Sequence, residues 1–100
     1  MSMTGKDRAA LRAEAHHLKP LVHVGHAGLT PALLQSLHDV LRTHELVKAQ
    51  VAQAGELSAR DAAHQVAEQM QAEVIQVIGR TFTLYRENPE LKRGTQPPWR

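Results

Sequence analysis

The chain has 100 residues, the length of one domain with a single core, and its 42% hydrophobic and 22% charged content excludes wholesale disorder, collagen-like and low-complexity classes. Twelve Lys and Arg against ten Asp and Glu leave a net charge of +2, so a polyanionic partner has to be held by local placement of charge rather than by bulk charge. With no cysteine, disulfides, thiolate nucleophiles and cysteine-ligated iron–sulfur or zinc centres are excluded. No apolar run approaches the roughly 18 residues that span a bilayer, and Met1 to Arg8 lack the apolar stretch of a secretory signal. A cytoplasmic protein without a membrane partner is expected. Phe82, Tyr85 and Trp99 are the aromatic residues, too few to pave a sheet with base-stacking rings.

In chain order, Lys6 to Leu18 are good helix formers, with Leu11, Ala15 and Leu18 on one stripe. Arg8, Arg12 and His16 form a neighbouring stripe that is either a solvated face or a cationic one. Lys19-Pro20 stops this helix, because proline disfavours the α conformation in the residue before it. Leu21 to Val24 reads as a short strand and Gly25-His26-Ala27-Gly28 as the break after it. Thr30-Pro31 then opens a second helix with an N-cap threonine and a proline whose missing N–H costs nothing at the first position. Leu33, Leu34, Leu37, Val40, Leu41 and His44 give it one broad inner stripe, which assigns His44 to packing at the helix end.

Leu46 to Val51 alternates Val47, Ala49 and Val51 with Lys48 and Gln50, a strand with one wet face. Ser58, three residues before Asp61, starts a third helix from Ala59 to about Gln71, with Ala63, Val66, Ala67 and Met70 inside. Glu73 to Ile78 and Thr81 to Tyr85 flank Gly79-Arg80 at the spacing of a tight antiparallel hairpin. The order is αβαβαββ, which predicts an α/β domain with a four-stranded mixed sheet over residues 4–86. Asn88-Pro89, Gly94 and Pro97-Pro98 predict an extended or disordered tail over 87–100.

Seven histidines raise the question of a metal or a general base, yet no HExxH, paired carboxylate or nucleophile accompanies them. His23 and His26 are spaced H-x2-H with no carboxylate within several residues. An enzyme, a metal, a cofactor and a small-molecule substrate are therefore not expected. The Gly25 to Gly28 turn carries more: two glycines let a backbone approach another molecule closely, and the helix start beyond it offers free N–H groups and a positive dipole end to phosphate oxygens. The competing reading is that these glycines serve only the turn's dihedral angles.

Three blocks carry a resemblance: Leu18 to Thr30 (LKPLVHVGHAGLT), His44 to Lys48 (HELVK), and Val77 to Arg80 with Leu84 to Arg86. In order and spacing they resemble the CRM (chloroplast RNA splicing and ribosome maturation) domain, whose stand-alone bacterial form is the YhbY-like family. The resemblance implies a fold like the C-terminal domain of translation initiation factor three and an RNA-binding role, with ribosomal RNA in precursors of the large ribosomal subunit as the partner. Carried over by position, the family's GxxG loop falls on Gly25, His26, Ala27 and Gly28, its basic residue before proline on Lys19, and its hairpin cation on Arg80. The loop's middle, His26-Ala27, lacks a permanent charge. Arg8, Arg12 and Lys48 complete the expected backbone-binding set, although Lys19 also serves as a helix stop and Arg80 as a solvated turn. A protein-interaction module docking on a ribosomal protein is the alternative, and the sequence leaves the oligomeric state open. The excess charge lies in residues 1–50, with six Lys and Arg against four acids, whereas residues 51–100 hold six of each.

Overall fold

Each helix begins where a hydroxyl side chain takes up an otherwise unpaired amide. A computed structural model describes residues 4–52 and 57–88. In it, Thr4 opens α1 (Gly5–Ala15) with a reciprocal capping box: its hydroxyl accepts from the Asp7 amide at 3.1 Å, and the Asp7 carboxylate accepts from the Thr4 amide at 3.1 Å. Thr30 does the same for α2 (Pro31–His44) through Leu33, and Ser58 for α3 (Ala59–Met70) through Asp61. Each such cap contributes about 1 kcal/mol. The α1 cap moves the start of the first helix one residue earlier than expected, and regular helix ends at Ala15 rather than Leu18. Residues 16 to 18 continue as tighter i to i−3 turns, with Leu18 N–H donating to Ala15 at 3.0 Å.

The strands are β1 (Val22–Val24), β2 (Leu46–Val51), β3 (Glu73–Ile78) and β4 (Thr81–Tyr85), in the spatial order β1-β2-β4-β3. β1 and β2 are parallel and joined across α2, while β4 pairs antiparallel with both β2 and β3. The hairpin therefore inserts its second strand into the middle of the sheet, which the element order alone does not reveal. Its turn has φ +58° at Gly79, the first central position, a conformation glycine adopts without penalty.

One face of the sheet is covered by α2 and α3, whose Leu37, Leu41, Ala59, Ala62, Ala63 and Val66 bury Val22, Val24, Val47, Ala49, Val51, Phe82 and Leu84. The opposite face carries α1 at one end only. There Leu11 and Ala15 pack with Leu46, Ile75 and Tyr85, and Leu18 closes the edge of that smaller core. Tyr85 is thus a core residue of a central strand. His44 departs from the sequence reading: it is exposed, its Nδ1 lies 2.7 Å from the Thr43 hydroxyl, and Leu37 and Leu41 are the fully buried residues of α2. At 100° per residue His44 stays within about 20° of Leu33 around the helix, but it is the last residue of α2 and lies past Leu41, the last position that the helix buries.

A one-residue register shift in β3 falls between Val74 and Gln76. Val74 packs with the α2 and α3 core, Ile75 turns under α1, and Gln76, paired with Thr83, stays on the same face as Ile75. Strict alternation would have put Gln76 into the apolar core; the bulge turns it outward.

The chain leaves α2 through Glu45 at φ +63°, a costly backbone conformation for a side chain with a Cβ. Residues just beyond β4 hold Glu45 in place. Its carbonyl accepts from Arg86 N–H at 2.9 Å and its carboxylate from Asn88 N–H at 2.6 Å, while the Asn88 amide side chain donates to the Arg42 carbonyl at 2.8 Å. The first residues of the expected tail are therefore tied to the α2 terminus; those from 89 onward lie outside the described residues.

Candidate nucleic-acid interface

The GxxG segment occupies the turn between β1 and α2. Gly28 N–H donates to the Gly25 carbonyl at 3.0 Å, Gly28 has φ +74°, and Thr30 N–H returns to the Gly28 carbonyl at 3.0 Å. Gly25, His26 and Ala27 are exposed, and a Cβ added at either glycine would meet nothing within 4 Å. Gly28 is needed for its dihedral angle. Among the described residues the amides of His26 and Ala27 donate to no other group, so they face solvent beside the α2 N-terminus, where the helix dipole favours an anion.

The β3–β4 turn comes to the same end of the sheet. Val51 N–H donates to the Arg80 carbonyl at 2.7 Å and Ala52 N–H to the Val24 carbonyl at 2.8 Å, which ties the ends of β1, β2 and the hairpin together. The result is a shallow depression of about 330 Å³ lined by His23, Gly25, Gln50 and Arg80. The Arg80 side chain is exposed with no hydrogen-bonded or ionic partner among the described residues. Next to it on the sheet face uncovered by α1 lies a second depression of about 210 Å³, lined by Pro20, Lys48, Gln76, Ile78, Thr81 and Thr83. Lys48 is half-buried and donates to the Leu18 carbonyl at 3.4 Å, and Lys19 is exposed on the connector between α1 and β1. Neither depression has a carboxylate in its lining.

Of the residues singled out from sequence, the structure brings the loop and Arg80 together and sets Lys48 on the adjoining face. It does not bring Arg8 there. The Arg8 guanidinium donates to the Val74 carbonyl at 3.3 Å and lies 3.6 Å from the Glu73 carboxylate, at the opposite end of β3. Roughly 16 Å of strand separates the two ends, and β3 is the sheet edge farthest from β1. Its Nη1 is buried without a hydrogen-bond partner. Arg12, half-buried one turn on, has no ionic or hydrogen-bonded partner among the described residues.

Arg86 is also structural. It donates to the carbonyls of Met70 at 3.2 Å and His38 at 3.2 Å, with the His38 ring nitrogen 3.3 Å away, and so joins the ends of α3 and β4 to the middle of α2. Burial, with repulsion from Arg42 adding to it, lowers the Arg86 pKa from its ordinary value, yet arginine remains charged at neutral pH. Among the described residues no cluster of three or more His, Asp or Glu side chains has the arrangement of a metal site, and no helix is long and apolar enough to cross a membrane. Outside the expected binding set, the linings add His23, weighed from sequence only as half of a histidine pair, together with Gln50, Gln76, Thr81 and Thr83. The polar positions of β2 and β4 were visible as alternation, whereas Gln76 reaches the same face only through the bulge.

Fold and site together define a small α/β domain with a glycine turn at a strand-to-helix junction and unpaired cations beside it. The model of the CRS1 / YhbY (CRM) domain family matches residues 3–86, and the chain belongs to that family. Among its relatives, the "Probable RNA-binding protein YqeI" of Bacillus subtilis (strain 168) is 34% identical over 95 residues, covering 95% of this chain and 99% of the relative. A Haemophilus influenzae relative named "RNA-binding protein" is 33% identical over 91 residues, covering 91% of this chain and 92% of its own. The solution structure of a hypothetical protein of Staphylococcus aureus, described as a candidate RNA-binding protein, superposes with a TM-score of 0.76 at 31% identity, over 96% of this chain and 100% of the other.

Proposed function

We propose that this protein is a non-enzymatic RNA-binding factor that binds ribosomal RNA in precursors of the large (50S) ribosomal subunit during assembly in the cytoplasm. The observation that carries the reading is the end of the sheet where the Gly25 to Gly28 loop, its unpaired amides and Arg80 meet without a carboxylate in the lining. Membership of the CRM family and the RNA-binding names of the relatives support RNA as the polyanion.

In this reading the loop amides and the α2 N-terminus hold one phosphate, and Arg80, Lys48 and Lys19 hold its neighbours on the strand. Arg12 adds long-range attraction, and Arg8 belongs to the fold. Neutralising Z phosphates of a single strand makes log affinity fall with log salt at a slope of about −0.7Z, with Z roughly four to six. Sequence preference in isolation is weak, because scarce aromatics leave little stacking surface.

Sucrose-gradient sedimentation of a lysate, with the protein detected across the gradient before and after RNase, tests this directly. Co-migration with large-subunit precursors at low salt, lost after RNase, is the expected result. Uniform presence in the free-protein fractions overturns it, and co-migration that survives RNase points to docking on a ribosomal protein instead.

A further inference from the structure

We propose that the sheet face left open by α1 is a pocket for one unpaired nucleobase of the strand whose backbone the GxxG loop holds. The inference rests on the RNA-binding reading above and adds a base-reading subsite to it.

Two rungs of side chains define this face. His23, Gln50, Thr81 and Ile78 stand side by side in the first; Lys48, Thr83 and Gln76 form the second, about 7 Å along the strands. Thr81 and Ile78 of the first rung, the whole second rung and Pro20 enclose the depression of about 210 Å³, smaller than the roughly 300–1,000 Å³ that accommodates a drug-sized ligand and so suited to a fragment such as a single base.

Its polar groups are unspent. Thr83 is 2% exposed, yet its hydroxyl has no partner among the described residues, and the same holds for the side chains of Thr81 and Gln76. A nearly buried hydroxyl that the fold does not satisfy normally finds an external partner. Lys48 uses one of its three N–H donors on Leu18 and keeps two. An amide, two hydroxyls and an ammonium offer both donors and acceptors, which a nucleobase edge requires and a bare phosphate does not. The apolar part of the lining is Pro20 and Ile78; Ile78 is 58% exposed, a surface on which the face of a base can pack without an aromatic ring.

The β3 bulge is the independent sign that this polarity is built in. It turns Gln76 out of the core and onto this face opposite Thr83, and bulges re-aim side chains next to functional sites. Continuity supplies the rest. Gln50 borders the open face at its rung with Thr81 and lines the loop depression with Gly25 and Arg80, so a strand crossing from one depression to the other meets no carboxylate.

The test titrates the full-length protein with an oligouridylate of about 10 nucleotides and with an abasic oligoribonucleotide of the same length, over a salt series. Wild type, Thr83→Val and Gln76→Met are compared, since both substitutions keep side-chain size while removing hydrogen-bonding groups. Wild type is expected to prefer oligouridylate by about tenfold, and each variant to cut that preference about fivefold, with abasic affinity, salt slope and unfolding midpoint unchanged. A wild type that binds both oligomers equally, or variants that keep the preference or weaken both oligomers alike, overturn the base pocket and leave the backbone reading intact. Failure of the wild type to bind either oligomer at low salt overturns both.

Discussion

Arg8 and Arg86 end on backbone carbonyls inside the fold, whereas Arg80 stands exposed at the loop end of the sheet and Lys19 stands exposed on the connector that enters β1. The two groups have the same charge and come from similar sequence surroundings, yet their work differs. At the Arg8 end of the sheet, Glu73 and Glu68 line the same depression as the guanidinium, so the positive charge there is largely compensated. At the loop end the linings hold Arg80, Lys48 and His23 with no acid. A net charge of +2 is enough for a polyanion when the carboxylates are segregated from one surface. The guanidiniums of Arg8 and Arg86 are spent on carbonyls and hold the structure together, the Arg80 and Lys19 side chains answer nothing and are available to a partner, and Lys48 stands between, with one donor on Leu18 and two left over.

The comparison breaks most visibly at Arg86. Replacing it with alanine leaves the Met70 and His38 carbonyls without their charged donor and is expected to cost on the order of 2–4 kcal/mol in urea unfolding, with affinity per folded molecule unchanged. At the loop, Gly28→Asp places a negative charge in the phosphate cradle at φ +74° and is expected to weaken RNA binding about tenfold or more by fluorescence anisotropy. Gly28→Asn, which tolerates that backbone and adds no charge, separates the two effects and recovers most of the affinity. Arg80→Ala is expected to weaken binding several-fold and to make the salt slope shallower by about 0.7, with stability within about 0.5 kcal/mol of wild type. Arg8→Ala is expected to do the reverse: a loss of about 1 kcal/mol in stability and an unchanged salt slope. A salt slope that responds to Arg8 and not to Arg80 would invert the division between the two sets.

Much of the fold was legible because its signals are local. Thr30-Pro31, Ser58 with Asp61, and Gly79-Arg80 each act within four residues, and the structure places α2, α3 and the hairpin where they point. Thr4 with Asp7 is the same kind of signal, and reading it would have fixed the start of α1. The misreadings arose where a local pattern competes with packing. His44 fits the α2 stripe but lies past the last turn that the sheet buries, and nothing local announces the positive φ at Glu45, which the long-range contact to Asn88 accompanies.

By itself the sequence determined the elements, their order, the glycine loop and the family resemblance, since caps, turn chemistry and periodicity are properties of neighbouring residues. Tertiary structure alone decided that β4 lies between β2 and β3, that α1 covers only one end of the second face, and that Gln76 turns outward at a bulge. It also sorted the arginines, because whether a guanidinium meets a carbonyl or open water depends on residues 66 positions away for Arg8 and 48 for Arg86. Pairing at such separations is set by how the sheet and helices pack together, and no short stretch of the chain encodes it.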